Sequence, residues 1–131
     1  MSLRNIYGID DTKSVNLPAA GASASTAGIN IGTGPHIERN EVRVEVEALP
    51  SLADTKKATT TLEDSADGVT FAAIPQLAPI VQTGAGGAGA AAVLSECRLP
   101  SSFRGYLRAT TAVEAAGGSN IAKKATVTVL S

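Results

Sequence analysis

Two acids in the stretch TLEDSADGVTF, Asp64 and Asp67, come just before a glycine and an apolar run. Carboxylates at such spacing can do three things: ligate a cation, share acid/base work, or shape a turn. An EF-hand type calcium loop needs oxygens at alternate positions, then Gly, then a distant Glu. Here the acids are three apart, Ala66 fills an intervening ligand position, and no Glu follows at the right distance. An Asp-Gly pair between two β-like runs instead predicts a tight hairpin turn, where positive φ is needed.

The other reactive side chains are few. His36 is the single histidine, and it follows Pro35 in a Gly-rich segment. That is poor support for a catalytic base or a zinc ligand, which must be held tightly. Cys97, the single cysteine, lies in phase with Val93 and Leu99 and reads as a structural thiol rather than a nucleophile. GAGGAGA contains GxGxxG starting at Gly84. A dinucleotide loop must join a strand to a helix, and this one joins a proline-broken stretch to a strand, so it reads as a flexible loop. Arg98, Arg104 and Arg108 cluster around CRLPSSFRGYLRA. They suit interchain ion pairs or, equally, a solvated sheet face of little energetic value. No constellation supports catalysis; the reading is not an enzyme, with no cofactor and no metal.

The elements that position these groups alternate with period two. In EVRVEVEAL, Val42, Val44, Val46 and Ala48 fall on one side and Arg43, Glu45 and Glu47 on the other. Ala58, Thr60 and Leu62 share a phase, then Val69, Phe71 and Ala73. Pro75 and Pro79 interrupt the sheet or mark its edge. Val93, Cys97 and Leu99 oppose Glu96 and Arg98. Leu107, Ala109 and Val113 point inward, Tyr106, Arg108 and Thr110 outward, and Val127 and Val129 oppose Thr126 and Thr128. Six or seven short strands with Gly/Pro punctuation, and no helical stripe, predict an all-β, single-domain β-sandwich, jelly-roll-like. Residues 1–40 are rich in Ala, Gly, Ser and Thr and have little apolar area. They are expected to form an extended N-terminal arm with short strand pieces, mobile, frayed or ordered on a neighbour. The sandwich domain is expected over 41–131.

Composition limits the partners. The 131 residues fit one domain, 44% of them are apolar, and there are two Phe, two Tyr and no Trp. The core must therefore be aliphatic, and each small side chain buries little area at roughly 25 cal/mol per Å². That predicts support from self-association or a larger partner. A net charge of −1 and a pI near 5.8 argue against nucleic acid. One cysteine permits no internal disulfide and fits a cytosolic origin, while still allowing a disulfide-free secreted one. The N-terminal MSLRNIYGIDD lacks the apolar stretch of a signal peptide, and no run is long enough to cross a membrane.

At SADGVTFAAI, TGAGGAGAA and CRLPSSFRGYLRATTAVEAAGG, over roughly 62–118, the chain resembles the small capsid cement, or decoration, proteins of tailed bacteriophages, of the Bordetella short-tailed phage type. That family carries an S.DG..F turn, a Gly/Ala-rich connection and an RLP…RYLR strand pair. Here Gly105 precedes YLR, a departure, and the first sixty residues match only in character. The resemblance implies a jelly-roll-like sandwich on the outer capsid surface of the virion, made in the host cytoplasm. It also implies protomers that pair, homodimer first and homotrimer second, and clamp the major capsid protein after the shell expands. The candidate interface is Ile6, Tyr7, Ile29 and Ile31 from the arm, with Arg98, Arg104, Tyr106 and Arg108. A tail or neck component shares this composition. A carbohydrate-binding sandwich would need exposed aromatics, for which only Tyr7, Phe71, Phe103 and Tyr106 are on offer.

Overall fold

A computed structural model describes residues 11–32 and 40–130 of the chain. They form ten strands in two antiparallel sheets, and no helix is present among the described residues. The first sheet runs β1 (Asp11–Asn16), β10 (Lys124–Leu130), β4 (Glu41–Val46), β8 (Val93–Arg98). The second runs β2 (Ser23–Ser25), β9 (Tyr106–Val113), β5 (Lys57–Ser65), β6 (Ala72–Ala73). β3 (Ile29–Asn30) also pairs with β9, and β7 (Ile80–Thr83) also pairs with β5. Counting β2/β3 and β6/β7 as single interrupted edge strands leaves eight. Their chain orders across the two sheets are then first, eighth, third, sixth and second, seventh, fourth, fifth. That is the connectivity of a jelly roll, so the fold expected from the alternation is the fold observed.

The core lies between the layers and is aliphatic. Val42, Val44 and Val46 of β4 and Ala125, Val127 and Val129 of β10 are each at most 1% exposed. Across from them lie Ala58 and Leu62 of β5 and Leu107, Ala109 and Val113 of β9. Leu17, Ile29, Ile31, Leu49, Leu52, Ile74, Leu99 and Phe103 complete it. Thr60 and Thr111 are also interior, and their hydroxyls satisfy each other at 2.9 Å, as buried polar groups must.

Three expectations are corrected. The described part of segment 1–40 is not an appendage, since β1 pairs along its length with β10 and β2 and β3 pair with β9. Pairing supplies what its sparse apolar side chains could not, and those few, Leu17, Ile29 and Ile31, are core residues. Next, Val69 and Phe71 do not extend an inward strand: β6 is only Ala72–Ala73, and Val69 is 80% exposed. Finally, the glycine segment is not a free loop. A Cβ on Gly84 would fall on the carbonyl oxygens of Leu52 and Ala53, and one on Gly89 would fall on that of Leu49. Leu49 and Ala90 exchange two backbone hydrogen bonds, and Asp54 Oδ1 accepts the Gly87 N–H at 2.9 Å. The glycines let two chain passages touch.

Candidate interaction surface

β5 and β9 are the central pair of the second sheet, and their register places Glu63 opposite Arg108 and Ser65 opposite Tyr106. The alternation of β9 sends Tyr106, Arg108 and Thr110 to the outer face. What the chain builds there depends on the turn after β5.

Ser65 Oγ accepts the N–H groups of Asp67 and Gly68 at 3.2 and 2.9 Å and donates to Asp67 Oδ1 at 2.8 Å. Asp67 Oδ1 in turn accepts the N–H groups of Val69 and Thr70 at 2.9 and 3.0 Å. Gly68 takes φ +78°, a left-handed conformation natural to glycine. The Thr70 N–H, then the Val69 N–H and the Ser65 hydroxyl, hold the Asp67 carboxyl down from 3.8 to about 2, because each stabilises the anion. Two backbone donors are consumed by the carboxylate, which is why no ladder continues through Val69. Asp67 therefore shapes a turn with the positive φ that the Asp-Gly pair predicts, but pairing resumes only at Asp64 opposite Ala72, so the hairpin connection is wider than a tight turn.

Asp64 does different work. Its carboxylate accepts from Arg104 Nε at 2.9 Å, from the terminal guanidinium nitrogen Nη2 at 2.8 Å and from the Arg104 backbone N–H at 3.2 Å. Arg104 Nη2 also donates to the Asp64 carbonyl at 2.6 Å. One strand register further, Arg108 Nε donates to Glu63 Oε1 at 2.7 Å, and the Thr110 hydroxyl donates to the same oxygen at 2.6 Å. Thr110 and Ser25 link the network to β2 at 2.8 Å. The Arg108 guanidinium carbon sits 4.3 Å from the centre of the Phe71 ring, within cation–π range. Gly28 lets the tip of that ring approach: a Cβ there would stand 3.1 Å from Phe71 Cζ. Gly68 does the same for Tyr106, with ring atoms 3.1–3.3 Å from where its Cβ would be.

The result is an outer patch of Tyr106, Arg108 and Phe71, flanked by Val69 at 80% exposure, whereas Arg104 pairs with Asp64, which falls in the inward phase of β5 with Ala58, Thr60 and Leu62. Aromatic side chains and arginine are the types enriched in protein interfaces. Its charges are mostly internally matched, so it offers shape and mixed polarity rather than a field.

Of the candidates named from the sequence, Tyr106 and Arg108 are brought together here, and Arg104 is held instead by Asp64. Their ion pairs are made within the chain, not between chains. Arg98 lies on β8 in the other sheet. Ile29 and Ile31 are 1% and 4% exposed, core residues that cannot also anchor an arm to a neighbour. Ile6, Tyr7 and His36 lie outside the described residues. Cys97 is half-buried on the inner side of β8, its thiol pushed up by burial and then by Glu41. Sequence reasoning missed Phe71 and Glu63 as members of the patch and Asp64 as the partner of Arg104. No set of three or more His, Cys, Asp or Glu among the described residues is grouped to hold a metal ion.

No family model and no curated protein matches the chain. Solved structures do. The crystal structure of the PBSX exported protein XepA aligns over 96% of this chain with a TM-score of 0.53 and 16% identity. This chain spans only 38% of that one. The subunit of Bacillus endospore appendages, described as a family of disulfide-linked pili, aligns over 92% of this chain and 84% of its own, with a TM-score of 0.50 and 17% identity. At such identities these proteins are similar in fold.

Proposed function

We propose that the chain is a structural, non-catalytic virion protein. In this reading it binds the outer surface of an icosahedral phage head as an oligomer and cements neighbouring major capsid subunits, using the Tyr106–Arg108–Phe71 patch as the face that meets the shell. The observation that carries this is the patch itself. It is a half-exposed aromatic–arginine surface with Val69 at its margin, beside a turn whose donors and acceptors are matched. The sequence motifs that resemble the cement family, S.DG..F and YLR, are the segments that build it. Fold-level similarity to an exported protein and to a pilus subunit is compatible with a part that works by being assembled.

The physical account is multivalency. A contact of modest strength suffices if an oligomer touches several shell subunits, because the second contact forms at high effective concentration. A glycan platform is less well supported: Phe103 is buried, one face of Phe71 is covered by Arg108, and Tyr106 rests on Gly68. The test is co-sedimentation of the purified protein with undecorated, expanded phage heads, followed by electron microscopy. Saturable binding in a regular lattice that Val69→Asp weakens by about tenfold or more, the loss of an interface anchor, is the expected result. Binding at a tail or neck, or none to heads, overturns the cement reading.

A further inference from the structure

We propose that the open edge of β8 is completed by residues 1–10 of a second copy of this chain, added as a strand. A jelly roll of this kind has four sheet edges, and three are guarded. β1 carries Lys13 in phase with the half-buried Val15, and a charge on the inner side discourages strand addition. β2 and β3 are three and two residues long. β6 and β7 are two and four, with Pro75 and Pro79 between them. β8 has six residues, no proline and no inward charge, and among the described residues it pairs on one side only, with β4.

The core beneath this edge is unfinished. The inward residues Val93, Ser95 and Cys97 are only half-buried, whereas their partners on β4, Val46, Val44 and Val42, are at most 1% exposed. A cavity of about 250 Å³ opens there between the layers, lined by Leu62, Leu77, Ile80, Ser95 and Cys97 among others. At ~30 Å³ per water it has room for several water molecules, and so for a side chain the size of Leu or Tyr. A strand laid beside β8 would satisfy the edge and drop alternate side chains into this space.

The occupant is argued from the chain that precedes β1. In MSLRNIYGID, Leu3, Tyr7 and Ile9 share one phase of a two-residue alternation, and Ser2, Arg4, Gly8 and Asp10 share the other, with Asn5 and Ile6 the exceptions. One apolar and one polar face is what the β8 edge requires. Ten extended residues reach about 33 Å. Asp11, where they join, sits in the same row as Cys97 but at the opposite edge of the sheet, through Val129 and Val42. Three strand spacings, about 14 Å, separate the two edges. Within one chain the segment would first have to cross the full width of the sheet. Reaching the open side of β8 takes a fourth spacing, about 19 Å in all, which leaves only about four residues to pair with a six-residue strand. A second copy placed beside the β1 edge receives all ten. The contact is head-to-tail, so it grows into rings or chains rather than closed pairs. It does not rest on the capsid reading, since it needs only this chain.

The experiment is sedimentation of the full-length chain and two full-length variants, with circular dichroism melts to certify folding. The parent's average mass should rise with concentration. Leu3→Asp/Tyr7→Asp, which spoils the segment, and Ser95→Arg, which puts a charge into the cavity, should each weaken association by about thirtyfold, the loss of a buried anchor. Mixed, the two variants should form one-to-one pairs, because one retains the edge and the other the segment. A parent that stays monomeric overturns the proposal in favour of closure within one chain. So does association that Leu3→Asp/Tyr7→Asp leaves unchanged, a result that stands even if Ser95→Arg does not fold. Folded variants that fail to pair on mixing overturn it too.

Discussion

Truncating Arg104 tests how much its ion pair with Asp64 contributes to the fold. The two partners are unequally placed: the Arg104 side chain is 43% exposed, the Asp64 side chain 9%. Arg104→Ala removes donors at 2.9 and 2.8 Å from the carboxylate and one at 2.6 Å from its carbonyl, leaving the backbone N–H at 3.2 Å. Stranding a fully buried charge costs roughly 3–5 kcal/mol. Water entering the space of a half-exposed guanidinium reduces that to about 2 kcal/mol. Asp64→Asn, in contrast, retains an oxygen for the backbone N–H and leaves a guanidinium that water can solvate, a loss of about 1 kcal/mol. With an unfolding entropy of ~2.1 cal/mol/K per residue, 2 kcal/mol lowers Tm by about 7 °C in a chain of this length. The double variant should cost less than the sum of the singles by about 1 kcal/mol, since its asparagine no longer needs a cation. Reversible thermal and urea unfolding measure all three. If Arg104→Ala were the milder of the two singles, the argument from unequal burial would be refuted.

Two further predictions concern groups whose partners are equally explicit. The folded Asp67 carboxyl titrates at about 2 rather than 3.8, so its contribution to stability is complete above about pH 4 and is lost as pH falls toward 2. An NMR titration of the carboxyl carbon with a midpoint near the ordinary value would show that the turn does not hold the anion. Thr60→Val or Thr111→Val should each cost about 1–3 kcal/mol, because each strands one buried hydroxyl of a pair now 2.9 Å apart. Thr60→Val/Thr111→Val together should cost close to nothing in urea unfolding, and additive losses would contradict the pairing.

What the sequence made legible follows from what alternation can encode. β4, β5, β9 and β10 each place apolar groups on one face, and period two exposes that directly, while β8 does so less cleanly, with Ser95 inward and Leu94 outward. β1 has only Val15 as an apolar residue, because the partner β10 supplies its ladder and Lys13 guards its edge. Such a strand looks like linker until its partner is known. β2 and β3 fail for the same reason, although Ile29 is fully in the core. The surface was half legible. An Asp-Gly turn and outward Arg and Tyr residues on β9 can be read locally. The pairing of Arg104 with Asp64 and of Arg108 with Glu63 spans 40 and 45 residues, and only the register between β5 and β9 brings those positions together. The same limit applies to the glycines. GAGGAGA shows conformational freedom in sequence, but the carbonyls of Leu49, Leu52 and Ala53 that demand it are far along the chain.

The patch also explains why two short motifs, SADG followed by Phe and RGYLR, act as one unit. Position 68 needs to lack a Cβ twice over, for its φ of +78° and for the Tyr106 ring above it. Position 71 needs a flat ring, because Arg108 covers its face while its tip meets Gly28. Positions 104 and 108 need a forked cation, since each also holds a carboxylate of β5 through Nε, a geometry lysine lacks. A surface whose members fix one another has little side-chain freedom left to lose on binding, and less of the interaction energy is then spent on ordering. In a chain with few aromatic residues, placing Phe71 and Tyr106 outside while, among the described residues, Phe103 alone joins the core sacrifices burial that an aliphatic sandwich could use. That sacrifice is intelligible if the outer face of the second sheet is a contact surface, and it leaves the aliphatic layers to hold the fold.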